Sequence, residues 1–150
     1  MLTIGFEEMA LRLGIATLLG MALGFDREWR GHDAGLRTHA LVALSSAMLT
    51  VSALLLFTEL RAAGVQPDPL RAIQGIAQAI GFIAAGLIFV RAGGVKNLTT
   101  AANLWMAASI GIVAGAGQYA LVAVGTVLAF IVLTLASLLK RPARSNPSDP

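Results

Sequence analysis

Charge is scarce in this chain, and most of the side chains that could do chemistry are gathered between Gly24 and Leu41 (GFDREWRGHDAGLRTHAL). Eight ionisable residues fall within fourteen positions: Asp26, Arg27, Glu28, Arg30, His32, Asp33, Arg37 and His39. Asp26 and Arg30 are spaced i, i+4, so a helix continued to this point would pair them on one face, with Arg27 and Glu28 on others. Asp26 and Glu28 could offer hard oxygen ligands to a cation such as Mg2+, which favours one or two carboxylates plus waters. The plainer alternative is a solvated loop whose charges only set orientation in a membrane. Arg37 could pair with Asp26 or Glu28, or take a lipid or nucleotide phosphate. Thr38 is an N-cap candidate for the helix that follows, with Gly35 supplying the turn. His39, alone at a membrane boundary, is more often a satisfied interfacial group than a proton relay.

Two further groups carry polar chemistry. In Val95-Lys-Asn-Leu-Thr-Thr-Ala-Ala-Asn-Leu-Trp105, Thr99 and Thr100 are placed to cap a helix. Asn103 lies one turn inside and needs a partner in hydrocarbon, as interhelical glue or as a pore-lining group. Trp105 sits slightly deep for an interfacial belt residue. In Gln66-Pro-Asp-Pro-Leu-Arg71, Asp68 and Pro69 read as N-cap and first residue of a helix, with Arg71 beside them and Gln74 and Gln78 as a polar strip above. No phosphate-binding glycine loop, dinucleotide fingerprint, paired-His metal helix or Ser/His/Asp order is present, so the reading is not an enzyme.

The elements that position these residues are membrane helices. The composition is 57% hydrophobic and 13% charged with mean hydropathy +0.78, against about 25% charged in soluble domains. Met9–Phe25, Thr38–Phe57 and Ala72–Val90 each suit a crossing of about 20 residues, with Glu8 pairing Arg12 at the start of the first. Asn97–Leu139 carries no charge and is too long for one crossing, so Gly115-Ala-Gly-Gln-Tyr119 is expected to break it into two. The result is an all-α membrane protein of five helices. Five crossings put eight basic residues on one side (Arg27, Arg30, Arg37, Arg91, Lys96, Lys140, Arg141, Arg144) and three on the other (Arg12, Arg61, Arg71). The positive-inside rule then places the N-terminus outside and the C-terminus in the cytoplasm. The basic residues stand singly in short loops, the pattern of orientation signals and not of a nucleic-acid surface.

The start, MLTIGFEEMALR, has acidic Glu7 and Glu8 where a cleavable signal would be basic, so the first helix is expected to be retained. Without cysteine, disulfides and thiolate chemistry are excluded. Residues 140–150 are Pro- and Ser-rich and read as a disordered cytoplasmic tail after a 1–139 transmembrane domain. Gly14-Ile-Ala-Thr-Leu-Leu-Gly20 matches Gly75-Ile-Ala-Gln-Ala-Ile-Gly81, and Leu36-Arg-Thr-His-Ala40 lies against Leu98-Thr-Thr-Ala-Ala102, a parallel repeat of two helical hairpins plus one helix or chance similarity in apolar sequence. Small-xxx-small spacings at Gly20/Gly24, Ala77/Gly81/Ala85, Gly111/Gly115 and Gly125/Ala129 suit close helix contacts, within one bundle or across a dimer.

Taken in order, Gly24-Phe-Asp-Arg-Glu-Trp-Arg30 with Ala34–Val42, Asp68-Pro-x-Arg71, Gly81-Phe82 with Gly86, and Leu98-Thr-Thr-Ala-Ala-x-Leu-Trp105 resemble the membrane domain of the MgtC/SapB family. The resemblance implies a five-helix inner-membrane protein of bacteria, linked to magnesium limitation and, in pathogens, to survival inside host cells. It also implies a regulator of other membrane machinery, including the proton-translocating ATP synthase, acting through contacts with itself as a homo-oligomer or with that partner. The rival implication is a Mg2+ or other cation transporter, oligomeric, with Asp26, Glu28, Asn103 and Gln78 on its path. The family's acidic loop residues fall on Asp26 and Glu28, its Arg-Thr pair on Arg37 and Thr38, and its paired threonines on Thr99 and Thr100. The sequence departs where the family has Gln at Gly75, glycines at Ala79 and Ala84, and Gly at Asn97. Many members carry a C-terminal ligand-sensing domain, whose functions are not carried over to these 150 residues.

Overall fold

A computed structural model describes residues 4–32, 34–91 and 94–139. The expected tail, 140–150, lies outside them, as does Asp33. Five helices follow one another: α1 (Phe6–Trp29), α2 (Leu36–Ala62), α3 (Leu70–Leu87), α4 (Leu98–Gly115) and α5 (Tyr119–Leu139). The first four have the length and apolarity of a membrane crossing. The fifth runs 21 residues without a charge, the length a crossing needs.

The helix ends follow local chemistry. After α1 and α4 the chain turns through Gly31 (φ 72°) and Gly117 (φ 75°), left-handed positions that glycine adopts freely. Each glycine N–H bonds back to the carbonyl three residues earlier, and the next N–H to the one five earlier (His32 to Arg27, Gln118 to Val113). This paired closure satisfies carbonyls that a bare helix end leaves open. The expected break at Gly115–Tyr119 is therefore real.

The third crossing is shorter than expected. It stops at Leu87, and a two-stranded antiparallel hairpin, β1 (Phe89–Arg91) with β2 (Gly94–Lys96), follows in register Phe89↔Lys96. Ile88, Phe89 and Val90 are β-branched or aromatic residues that favour extended backbone, and Gly94 at φ 128° helps the chain reverse. Asn97 then sits at φ 64° as the N-cap of α4, where its side-chain Nδ2 donates to the Leu87 carbonyl at 3.2 Å. Asn tolerates the left-handed region better than other non-glycine residues. The two hairpins of the apparent repeat, α1–α2 and α3–α4, are both present, but a tight turn joins the first and a β-hairpin the second.

Helix α4 is central, and more of it is buried than of α1, α2 or α3. It packs with α1 and α2 into a three-helix seam, with α3 on one flank and α5 lightly on another. The seam is built from small residues, among them Ala16, Ala43, Ala47, Ala107 and Ala114, with Leu23 and Ile110 as its large members. Glycines set the approach. A Cβ on Gly24 would lie 2.6 Å from the Leu36 Cα, and one on Gly20 would lie 2.8 Å from the His39 carbonyl. On Gly111 it would meet the Ala43 carbonyl, and on Gly115 the Ala47 carbonyl at 2.8 Å. The small-residue spacings thus divide: Gly20, Gly24, Gly111 and Gly115 lie in backbone contacts within one bundle, whereas a Cβ on Gly81 would meet the Trp105 ring at 3.5 Å and one on Gly125 the end of Met106 at 3.9 Å; on Gly75, outside those spacings, it would meet nothing within 4 Å.

At the end where α1 begins, Glu8 and Arg12 form the expected pair at 2.7 Å. Arg12 does not simply reach for the interface. Its Nη1 donates to the Gly115 carbonyl at 2.9 Å, and the Tyr119 hydroxyl donates to Glu8 at 2.6 Å. This ties α1 to the end of α4 and the start of α5.

The seam predicts unequal costs for equal changes. Gly24→Ala and Gly111→Ala should each destabilise the bundle by about 1 to 3 kcal/mol, because backbones must separate. Gly75→Ala should be neutral or stabilising by up to about 1 kcal/mol through helix propensity. Thermal unfolding in detergent micelles checks all three.

Candidate functional site

Helix α1 runs past the expected boundary at Phe25 to Trp29, which carries Asp26 to Glu28 on helix and not on loop. Gly20, Gly24 and Arg27 are spaced i, i+4, i+7 and share the face that meets α2. Arg27 is accordingly buried, 4% exposed, and its Nη2 donates to the Thr100 hydroxyl of α4 at 3.0 Å. This residue was counted with the orientation-setting loop charges; removing it leaves seven basic residues against three, and the bias stands. The signal that could have found it is the glycine spacing, continued one turn.

Asp26 and Glu28 do not form one site. Positions two apart on a helix do not face each other. Both carboxylate oxygens of Asp26 accept from Arg30 Nε, at 3.0 and 3.1 Å, confirming the expected i, i+4 pair. Glu28 reaches across to α2, where its Oε2 accepts from the Leu36 N–H at 2.8 Å. Among the described residues, no group of three or more His, Asp or Glu side chains is gathered as for a metal ion.

Glu28 also corrects the expected cap of α2. Gly35, not Thr38, is the N-cap residue, and the capping carboxylate comes from another helix, where it also favours the positive end of the α2 dipole. Gly35 is extended, not left-handed (φ −106°). It is needed for space, since a Cβ there would lie 2.6 Å from Glu28 Oε2. Thr38 and Arg37 are exposed within the first turn and, with Glu28, His32 and Gly35, line an open cleft of about 260 Å3. His32 touches the Arg27 carbonyl through Nδ1 at 3.2 Å.

His39 is fully buried. Its Nδ1 bonds the Gly35 carbonyl at 2.8 Å; a carbonyl only accepts, so Nδ1 carries the hydrogen and Nε2 of the neutral ring is an acceptor. That Nε2 has no partner.

The second group is divided by its helix. Asn97, not Thr99 or Thr100, caps α4. Thr99 is exposed; Thr100 is buried on Arg27. Asn103 is 6% exposed with its Nδ2 unpartnered, and it lines a groove of about 360 Å3 between α4 and α5. Trp105 lies half exposed against α3, its ring 3.5 Å from where a Cβ on Gly81 would stand. Pro69, not Asp68, is the N-cap residue of α3, and Asp68 stands just before it, its Oδ1 accepting from the Leu70 N–H at 2.9 Å. Arg71, Gln74 and Gln78 are exposed, on the side of α3 away from Ile76 and Ile80, which pack on α4. Gln78 and Asn103 therefore do not share a lining.

A sequence profile of the MgtC family matches residues 13–141. The chain is 39% identical to YhiD of Escherichia coli K12 over 84% of its own length and 59% of that protein. It is 40% identical to SapB of Bacillus subtilis over 75% of its length and 49% of SapB. With MgtC of Salmonella typhimurium it shares 38% identity over 89% of its length and 52% of that protein. It thus spans about half, or a little more, of the curated relatives it matches. No solved structure matches it.

The buried bond separates the two threonines experimentally. Thr100→Val removes the only hydrogen-bond partner that a buried guanidinium has among the described residues and should cost about 1.5 to 3 kcal/mol. Thr99→Val, at an exposed position, should stay within about 0.5 kcal/mol. Unfolding midpoints in the same detergent compare them.

Proposed function

The chain belongs to the MgtC family, and we propose that it is a bacterial inner-membrane protein of magnesium homeostasis that regulates or assists other membrane machinery and is not itself the path of the ion. The observation that carries this reading is Arg27. The charge buried at one end of the three-helix seam is a cation whose one hydrogen-bond partner among the described residues is a neutral hydroxyl. A divalent ion passing about 5 Å away would meet about 7 kcal/mol of repulsion at an effective dielectric of about 20. The seam around it is closed by backbone contacts at Gly20, Gly24, Gly111 and Gly115, which supports the same conclusion. The groups that would have to line a path, Asp26, Glu28, Asn103 and Gln78, lie on different faces. Magnesium enters through the relatives, one of which, YhiD, is named as a candidate magnesium transporter.

Action through contacts is supported by the outer face of α3. Gln74 and Gln78 are exposed there, one turn apart, without a side-chain partner among the described residues. In lipid such amides favour a second helix, from another copy of this chain or from a partner membrane complex. The exposed Asp26–Arg30 pair and the Arg37–Thr38 turn present the aqueous face of the same protein.

Two measurements test the reading. The Asp26–Arg30 pair is exposed enough to contribute only about 0 to 1 kcal/mol, so Asp26→Asn should insert and fold normally. In a strain that depends on this protein, it should nevertheless impair growth at low magnesium; unchanged growth would make the cluster structural. The purified protein in liposomes should carry no more Mg2+ than empty vesicles, and flux above that background would establish the transporter instead.

A further inference from the structure

We propose that the groove between α4 and α5 holds one acyl chain of a glycerolipid, whose ester carbonyl accepts a hydrogen bond from the Asn103 amide. The inference needs only that these helices cross a membrane, and it is independent of the magnesium reading.

The first reason is an unanswered donor. Asn103 is 6% exposed and its Nδ2 has no partner, whereas native interiors leave few buried polar atoms unpaired. It lines a groove of about 360 Å3 whose other walls, among them Met106 of α4 and Gly125, Leu128 and Val132 of α5, are apolar. A half-turn exchanges the two ends of an amide, and among the described residues no hydrogen bond holds this one, so its donor can face the groove. What the groove lacks is an acceptor.

The second reason is depth and length. Asn103 stands five residues beyond Leu98, the first residue of α4, which is about 7.5 Å along the axis. The headgroup layer on each side of a bilayer is about 5 to 7 Å deep. The amide therefore lies where that layer meets hydrocarbon, the level at which a glycerolipid carries its ester carbonyls. From there the groove continues into a second space of about 190 Å3, which shares Met106 and Gly125 and reaches Val113 and Leu121. The stretch from Asn103 to Val113 covers about 15 Å of helix, half of the about 30 Å hydrocarbon core and so the depth of one leaflet. The groove has the length of a single acyl chain, with the donor at its headgroup end.

The third reason is that nothing in the bundle fills this space. Helix α5 packs only lightly on α4, and a Cβ on Gly125 would meet just the end of Met106, at 3.9 Å. The Thr126 hydroxyl, which also lacks a partner, lines the second space; a hydroxyl there can turn to a carbonyl one turn back on its own helix, which leaves the amide as the group that needs a ligand. A second membrane helix is the rival occupant. Its backbone carbonyls are already bonded within the helix, so it would answer Asn103 only by carrying a polar side chain, whereas every ester lipid brings an acceptor to this level.

The test uses the full chain in a neutral detergent, with the unfolding midpoint followed against added dioleoyl phosphatidylcholine or its diether analogue, which keeps the chains and headgroup but lacks the carbonyls. The ester lipid should raise the midpoint along a saturable curve, as a ligand that binds only the folded state does. It should bind roughly two- to tenfold more tightly than the diether, the worth of one hydrogen bond. Asn103→Leu removes the donor at similar volume and should lose that preference. Gly125→Leu fills the groove and should lose the saturable response to both lipids, while Gly75→Leu on α3 should respond as the unsubstituted protein does. Equal affinity of the unsubstituted protein for ester and diether would overturn the assignment. So would an ester preference retained by Asn103→Leu, or a saturable response retained by a folded Gly125→Leu. No lipid response, together with a dimer that Gly125→Leu dissociates, would give the groove to a second copy of the chain instead.

Discussion

The structure depends on how closely its helix backbones can approach. Lipid tails are as apolar as leucine side chains, so helices in a bilayer gain little by hiding apolar surface from lipid and associate through packing and hydrogen bonds instead. Here the packing is concentrated where Gly20 and Gly24 of α1 meet α2 and where Gly111 and Gly115 of α4 meet the Ala43–Thr50 face of the same helix. Helix α2 is thus held on both sides by backbone contact, and α1 and α4 are brought within side-chain reach of each other around it. The alanine-rich core is the consequence, because larger side chains would hold the axes apart.

Two polar links then fix register at opposite ends of that seam. At one, Glu8 holds Arg12 and Tyr119 while Arg12 binds the last carbonyls of α4 through Gly115. At the other, Arg27 reaches Thr100 near the start of α4, and Glu28 caps α2. Close packing of small residues alone would tolerate sliding of one helix along another. Hydrogen bonds at both ends of α1 do not, since a displacement by one residue would break both. On the flank, α3 leaves two glutamines, Gln74 and Gln78, exposed on its outer side.

Much of this was legible locally, and what was not has a common cause. The Glu8–Arg12 and Asp26–Arg30 pairs, the break at Gly115–Tyr119 and the five helices follow from i, i+4 spacing, glycine chemistry and run length, all of which are properties of neighbouring residues. The expected caps at Thr38, Thr99 and Thr100 failed because a cap can come from outside the segment. Glu28 supplies one from α1, and Asn97 starts α4 through a left-handed backbone whose side chain closes a β-hairpin. Arg27 was hidden because hydropathy marks where a helix leaves the membrane, not where it stops being helical. Asp26 and Glu28, the most conspicuous acidic residues, turned out to have protein partners already, while the residue between them is the one directed inward.

That inward arginine is the hardest feature to explain by stability. Replacing a buried charge with an apolar side chain of similar volume is often neutral or stabilising, and Leu23, one turn earlier on α1, is an apolar side chain that is itself fully buried. A methionine at position 27 would need neither the Thr100 hydroxyl nor a partner for Nε. It would also remove the positive charge that opposes entry of a cation into the seam. The register of α1 against α4 could be held from the other end by Arg12 and Gly115, so register alone does not require an arginine. What the guanidinium adds beyond register is a fixed positive charge inside an otherwise apolar bundle, and that charge opposes the passage of a cation along the seam.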